Sequence, residues 1–449
     1  MRLTAVVLAA GHGTRMKSAL PKVLHPLAGQ PLVHYAVTAA AAVTGQPPVL
    51  VVGHGAEQVK AFLGDRARYV TQAQQLGTGH AVLQARDLLA GWADAILVSY
   101  ADMPLLTENT LWAMVDGYRQ GRGVLSFLTV IAQDPRGFGR VVRDAAGQPQ
   151  CVVEEISCTP EQLAIRELNA GVYCFNADWL WENLTRLTPS PKGEYYLTDM
   201  VGLAVSQGQR ATAVQTADES ELVGINTRVH LAEAEQILRA RINRHWMEAG
   251  VTLLDPATTY IEPSVTIGPD TVILPNTLLT GRTAIGAHCR IGPNSVIEDS
   301  QLGNHCLVVM SVLEGAVMED EASIGPFGHL RKGARLCHAA HMGNFGELKN
   351  ATLGPGSKMG HFSYLGDATV GANVNIGAGT ITCNFDGERK HTTVIEDDVF
   401  VGSDTLLVAP LHIGLGAKTG AGSVVTHDVP AGTLVYGVPA RIRRRPGED

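Results

Sequence analysis

The sequence predicts an α/β protein in two parts joined by a long helix, and three periodicities carry that prediction. Over residues 1–226, short apolar runs alternate with amphipathic stretches, the pattern of a mostly parallel sheet covered on both faces. Over 227–250, apolar residues recur at three or four positions, as on one connecting helix. Over 251–449, one aliphatic returns every six residues. Neither a helix of period 3.6 nor a flat strand of period 2 produces that spacing. It predicts a parallel β-helix of hexapeptide repeats.

In chain order, residues 3–8, 49–52, 95–100 and 126–131 read as buried strands, with helical spacing at 32–43, 59–63 and 81–89. The apolar run at 5–10 imitates a signal peptide. It is short, however, and Gly11, Gly13, Arg15 and Lys17 follow at once, so it reads as the first strand. Leu231, Ala234, Leu238, Ile242 and Trp246 form the stripe of the long helix, with Gly250 at its C-cap. The six-residue register then runs through Ile261, Ile267, Ile273, Leu279, Ile285, Ile291 and Ile297. It returns at Leu353, Met359 and Leu365, and again at Ile395, Val401, Leu407, Ile413 and Val425, with Thr419 in the intervening place.

Composition bounds the function. The 449 residues carry 35 Lys+Arg against 43 Asp+Glu, a formal charge of −8 without a long basic stripe, which argues against nucleic acid as a main partner. There are 49 glycines, well above the usual share of about 7%, and aromatics are scarce; both suit tight corners and thin layers. Seven cysteines without a CxxC argue against a disulfide framework or a zinc knuckle. No 18-residue apolar segment offers a membrane span. The reading is a reduced, soluble, cytoplasmic protein.

Four motifs carry chemistry. In Leu8, Ala9, Ala10 and Gly11, a buried strand opens into a glycine turn that runs to Arg15, Met16, Pro21 and Lys22. Bare backbone N–H groups there can approach phosphates, and Arg15 and Lys22 supply charge; an ordinary strand–turn with solvated bases is the alternative. Gln72 with Gln75, Gly77, Thr78 and His80 can read the edge of a planar base, or form a polar loop. Tyr100, Ala101 and Asp102 end a buried strand in a carboxylate. Beside a phosphate site that suggests Mg²⁺, with Asn226 as a second hard ligand; elsewhere such an Asp caps a turn. In the repeat, Arg331, Glu347, Lys349, His361, Tyr364 and Asn375 fall within neighbouring coils. A His beside a carboxylate is what a general base needs, although polar corner residues are common in a β-helix. His412 and His427 read as solvated.

Four stretches together resemble one family: Leu8–Gly11 with Pro21, Lys22, Val23, Leu24 and His25; Gln75, Leu76, Gly77, Thr78, Gly79 and His80; Gly193 to Asp199; and His361, Phe362, Ser363, Tyr364, Leu365, Gly366, Asp367 and Ala368. With the loop Cys383, Asn384, Phe385, Asp386 and Gly387, the chain is similar to the bacterial bifunctional N-acetylglucosamine-1-phosphate uridyltransferase/glucosamine-1-phosphate acetyltransferases from Leu8 to about Val429. The resemblance implies a Rossmann-like nucleotidyltransferase domain over 1–226, a linker helix over 227–250 and a left-handed β-helix acetyltransferase domain over 251–449, assembled as a homotrimer. It implies acetylation of glucosamine 1-phosphate from acetyl-CoA, then transfer of UMP from UTP to N-acetylglucosamine 1-phosphate with release of pyrophosphate.

Residue by residue, the resemblance implies that Leu8, Ala9, Ala10, Gly11 and Lys22 hold the nucleotide, with Tyr100 and Ala101 beside them and Gln72, Gly77 and Thr78 at uracil. Gly139, Glu154 and Asn169 would grip the sugar, Asp102 and Asn226 would hold Mg²⁺, and Arg15 would neutralise charge. On the coil, His361 would be the base, with Glu347 orienting it. Arg331 and Lys349 would clamp the sugar phosphate, and Tyr364 and Asn375 would touch the sugar. Ala378, Asn384, Phe385, Ser403 and Ala421 match the acetyl-CoA contacts, with the backbone N–H or side chain of Asn384 proposed for the oxyanion. The family's late Arg has Val438 at its place, with Arg441, Arg443, Arg444 and Arg445 nearby. Two alternatives share this layout: a nucleotidyltransferase whose coil only oligomerises or binds an effector, and a scaffold that has lost both activities.

Overall fold

A computed structural model describes residues 1–135 and 137–444. The chain divides into two compact units, 1–238 and 239–449. The first is built on a nine-stranded sheet whose main path runs Ala211–Thr216, Leu125–Ile131, Glu167–Asn176, Ala95–Tyr100, Leu3–Ala9, Val49–Val52, Arg68–Thr71. Glu167–Asn176 is antiparallel to both its neighbours on this path, and the other neighbours pair in parallel. The sheet is therefore mostly parallel, as its alternation with helices predicts.

Side chains alternate across the first strand. Ala5, Val7 and Ala9 join one buried cluster with Val33, Val37, Met114 and Val115 of the helices Leu32–Thr44 and Glu108–Gly121. Val6, Leu8 and Ala10 join the other, with Val82, Leu180 and Met200. Helices thus cover both faces, and the carboxyl ends of Leu3–Ala9 and Ala95–Tyr100 are left to the site. The helical stretch expected at 81–89 is split into Thr78–Leu83 and Arg86–Leu89.

The long helix spans Arg228–Glu248. Leu231, Ala234 and Leu238 pack with Leu27, Leu32 and Val223 of the first unit, while Ile242 and Trp246 pack on the core of the second. No helix among the described residues is long and apolar enough to cross a membrane.

The second unit winds two- to five-residue strands into three sheets of 12, 10 and 9 strands. Successive coils pair in parallel, Val272 with Arg290 and Arg290 with Leu307. The sole antiparallel strand in these sheets, among the described residues, is the closing Ala440–Arg444. Every aliphatic named in the sequence register faces the core, and Thr419 stands among them at 2% exposure. The repeat is also continuous where the six-residue spacing lapses: Leu302, Val308, Leu313, Met318, Ile324, Leu330, Leu336, Met342 and Leu348 fill the same core. Their spacing includes steps of five, which hid them from a period-six reading.

Candidate functional site

Two adjoining clefts of about 290 Å³ each open at the carboxyl ends of the first unit's central strands. The first is lined by Leu8, Ala9, Ala10, Gly11, Lys22, Gln72, Gly77, Thr78, Tyr100 and Asp102, and also by Gln75, Glu194 and Tyr196. The second shares Thr78, Tyr100, Asp102 and Tyr196 and adds Gly139, Glu154, Asn169, Thr198 and Asn226.

Two glycines are required at the first cleft. Gly13 has φ +62°, and a Cβ there would lie 2.6 Å from Lys22 Cβ; Gly77 has φ +98°, and a Cβ would lie 2.6 Å from the Tyr195 carbonyl. The second close approach is a clasp: Gly79 N donates to Tyr195 O at 2.8 Å and Leu197 N to Thr78 Oγ1 at 2.9 Å. Residues 194–198 are thereby carried into the clefts. Tyr196 and Thr198 belong to the site, yet the sequence reading gave them no role, although they lie inside its Gly193–Asp199 stretch.

At the junction of the clefts, Lys22 Nζ donates to Asp102 Oδ2 at 2.5 Å and to Asn226 Oδ1 at 3.1 Å. Two hard oxygens 124 positions apart in sequence thus turn toward one positive charge. Burial, and then the Asp102 and Glu154 carboxylates, push the Tyr100 phenol above the usual tyrosine range, against a hydrogen bond with Thr78. In the second cleft Thr198 Oγ1 donates to Glu154 Oε1 at 2.9 Å. Burial raises the Glu154 pKa, Asp199 and Glu194 add to it, and the Thr198 bond opposes it. Asn169 donates from Nδ2 to Tyr173 Oη at 2.7 Å and accepts from Gly171 N at 3.3 Å.

Two expected residues do not line the clefts. Ala101 is wholly buried in the core, because its side chain points away from the face that Tyr100 and Asp102 present. Arg15 is exposed in the short turn Thr14–Met16.

On the coil, Glu347 and Tyr364 are register partners, as are Lys349 and Gly366. His361, Ala378, Ser403 and Ala421 occupy one corner in four successive coils, each following a glycine in the column Gly360, Gly377, Gly402, Gly420. At about 4.8 Å per coil, the expected base stands directly below the three expected acetyl-CoA residues. Asn384 and Asn350 both donate to Asp367 at 2.6 Å. Burial raises the Asp367 pKa, but these two amides, with Lys390 and Lys349, bring it below the usual carboxylate range. Phe385 is 60% exposed, and Asn375 lies exposed on a neighbouring sheet.

Three expectations change here. Glu347 was expected to orient His361; no hydrogen bond joins the two among the described residues, and Glu347 Oε1 accepts from Arg331 Nη1 at 3.1 Å. Arg331 follows Leu330, the register partner of Leu348, which places its guanidinium on the coil next to Glu347. His361 is exposed and makes no hydrogen bond among the described residues. The backbone N–H of Asn384 is taken by Thr382 O at 3.0 Å and one side-chain amide hydrogen by Asp367, so only the second amide hydrogen remains as a donor for an oxyanion. At the C-terminus, Arg441 bonds the Ala440 carbonyl, Arg443 lies over the Tyr436 ring at 5.3 Å, Arg444 ends the last strand, and Arg445 lies outside the described residues. His412 is solvated beside Glu396, as expected.

Residues 5–167 match the MobA-like NTP transferase domain, residues 264–299 the bacterial transferase hexapeptide with six repeats, and residues 392–427 the hexapeptide repeat of succinyl-transferase. The "Bifunctional protein GlmU" of Heliobacterium modesticaldum is 48% identical over 432 residues, 96% of this chain and 94% of that protein. The protein of the same name from Stutzerimonas stutzeri is 49% identical over 440 residues, 97% of this chain and 96% of the relative. That of Geobacillus sp. is 46% identical over 431 residues, 96% and 94%. Each match runs through both units, so this chain, with its nucleotidyltransferase domain and left-handed hexapeptide β-helix, belongs to the family of the bifunctional protein GlmU.

Proposed function

We propose that the chain makes UDP-N-acetylglucosamine in two steps: the coil over 251–449 acetylates glucosamine 1-phosphate from acetyl-CoA, and the domain over 1–226 then joins UMP from UTP to N-acetylglucosamine 1-phosphate, releasing pyrophosphate. The observation that carries the reading is the meeting of Lys22, Asp102 and Asn226 between a cleft edged by Gln72 and one edged by Glu154 and Asn169. A base would lie in the first and a sugar in the second. The sugar-phosphate oxygen would then approach the α-phosphorus beside the Lys22 ammonium. Catalysis of this kind is positioning and electrostatics, with no protein base required.

The Asp102 and Asn226 oxygens fit a divalent cation, taken as Mg²⁺, which supplies charge neutralisation at the phosphates when bound. Arg15, exposed in its turn, would add positive charge toward the phosphates. On the coil, the substrate amine attacks only after losing a proton, and a histidine is the group suited to take it near neutral pH. His361 holds that role, with Arg331, held by Glu347, and Lys349 at the sugar phosphate. Tyr364 and Asn375 would touch the sugar, and Ala378, Ser403 and Ala421 would carry the acetyl-CoA. The Asn384 side chain would donate to the oxyanion. A cytoplasmic homotrimer is part of the same reading. It is supported by the exposed aromatic rings Phe327, Phe345, Phe362 and Phe385 on the coil, which a second copy would cover.

Two half-reactions test the proposal. With Mg²⁺, the protein should release CoA thiol from acetyl-CoA and glucosamine 1-phosphate, and pyrophosphate from UTP and N-acetylglucosamine 1-phosphate. His361→Ala should lower the first by at least about a hundredfold and spare the second; Asp102→Ala should do the reverse. Pyrophosphate without thiol from the unaltered protein would reduce the coil to an assembly module.

A further inference from the structure

We infer that Asp367 is a positioning residue for acetyl transfer, holding the Asn384 amide in the one orientation that offers an N–H, and not oxygen lone pairs, to the oxyanion. This rests on the acetyl-transfer reading above. It gives a role to a carboxylate inside the His361–Ala368 stretch that the reaction does not otherwise use.

Asp367 follows the strand Ser363–Gly366 at a left-handed corner of φ 48°. Its Oδ2 accepts from Asn384 Nδ2 and its Oδ1 from Asn350 Nδ2, both at 2.6 Å. Burial works against its charge, but these two amides, then Lys390 and Lys349, keep its pKa below the usual carboxylate range. The group is therefore ionised near neutral pH and can only accept, so the end of the Asn384 amide that faces it is nitrogen. Asn384 is 8% exposed, and its backbone N–H is already spent on Thr382 O. One amide hydrogen is left as the residue's last donor. Gly366 shows where that nitrogen stands: a Cβ there would collide with Tyr364 Oη and lie 2.7 Å from Asn384 Nδ2. The fixed nitrogen thus sits beside the phenol expected at the sugar.

An Asn384 amide freed from Asp367 can turn over. It then shows oxygen lone pairs on the side where a hydrogen is needed, and these repel a tetrahedral oxyanion instead of stabilising it. Losing the hold should therefore slow the chemical step without loosening the substrate. Lys349 offers the rival route, because its carbonyl accepts from Asp367 N at 3.0 Å and its charge faces the Asp367 carboxylate. A displaced Lys349 would instead weaken the binding of glucosamine 1-phosphate.

The test follows CoA release by the full-length protein at varied glucosamine 1-phosphate and saturating acetyl-CoA. Asp367→Ala should lower kcat about tenfold, with KM within about twofold and pyrophosphate release unchanged. Asp367→Asn should keep kcat within about threefold, because its amide oxygen can take the Asn384 hydrogen while the exposed Asn350 turns to meet its nitrogen. In an Asn384→Ala background, Asp367→Ala should change kcat by less than about twofold, since the group it acts through is gone. If the alanine variant melts early, Asp367→Gly replaces it, as glycine adopts φ 48° freely. The inference is overturned if Asp367→Ala keeps its kcat, or if the loss lies in KM alone. It is equally overturned if Asp367→Asn is as slow as Asp367→Ala, or if the Asn384→Ala background leaves the loss intact. An unaltered protein that releases no CoA thiol would be a separate failure, that of the acetyl-transfer reading itself.

Discussion

Glu154 sits where burial works against its charge, and the neighbouring Asp199 and Glu194 carboxylates add to the penalty. Its pKa is raised, so over part of the acid range where an ordinary glutamate is ionised Glu154 still holds its proton. A protonated carboxyl accepts sugar hydroxyls less well, so kcat/KM for N-acetylglucosamine 1-phosphate should rise with pH through that raised pKa. Thr198 donates to Oε1 and favours the ionised form. Thr198→Val should therefore move the rise to higher pH, while the substrate phosphate, which ionises in the same region, contributes equally to both profiles. Coincident profiles would remove Glu154 from the sugar site. The site's residues were legible where a motif met a strand end: Gly11, Lys22, Gln72, Thr78 and Asp102 all reach the clefts. Motif reading failed where direction matters. It counted Ala101, which alternation turns into the core, and passed over Tyr196 and Thr198, which a backbone clasp to Gly77–Gly79 turns inward.

At the scale of the element, the coil's corners explain which repeats the sequence revealed. In six-residue sides the left-handed residue is commonly the third after the inward aliphatic, as with Asp270, Asn276, His288 and Asn294. In the five-residue steps that begin at Ile297, Val308, Leu313, Leu348 and Leu365 it is the second: Asp299, Met310, Gly315, Asn350 and Asp367. Dropping one corner residue keeps every aliphatic inward but shifts the period, so a search at six loses register after Ile297 although the core does not. Asn, Asp and His tolerate this backbone because short polar side chains bond locally. Ala339, at φ 55° and exposed, has no such compensation. Ala339→Gly should stabilise the coil by about 0.5–1 kcal/mol, read as a higher urea midpoint for the coil's transition. A lower midpoint would mean that the methyl group makes contacts worth more than the strain it causes.

The whole molecule sets two chemistries on two scaffolds with different needs. The nucleotide and sugar clefts lie within one chain, walled by strand ends, a glycine turn and the 194–198 clasp. The acetyl-transfer residues are carried on an open surface: His361, Asn375, Phe385, Ser403 and Ala421 are all exposed in a single chain. Acyl transfer benefits from a site that excludes water and holds its donors in a low-dielectric pocket, and one coil face offers a single wall. The proposed trimer supplies the missing walls, so the two activities should differ in their dependence on assembly. At working concentration the protein should sediment at three times the 47.7 kDa of one chain. Dilution to the point where single chains dominate should abolish CoA release while leaving pyrophosphate release per chain unchanged, because nothing in the first clefts waits for a partner. Single chains that still acetylate glucosamine 1-phosphate at the full rate would place the whole acetyltransferase site on one coil and leave assembly to account for stability alone.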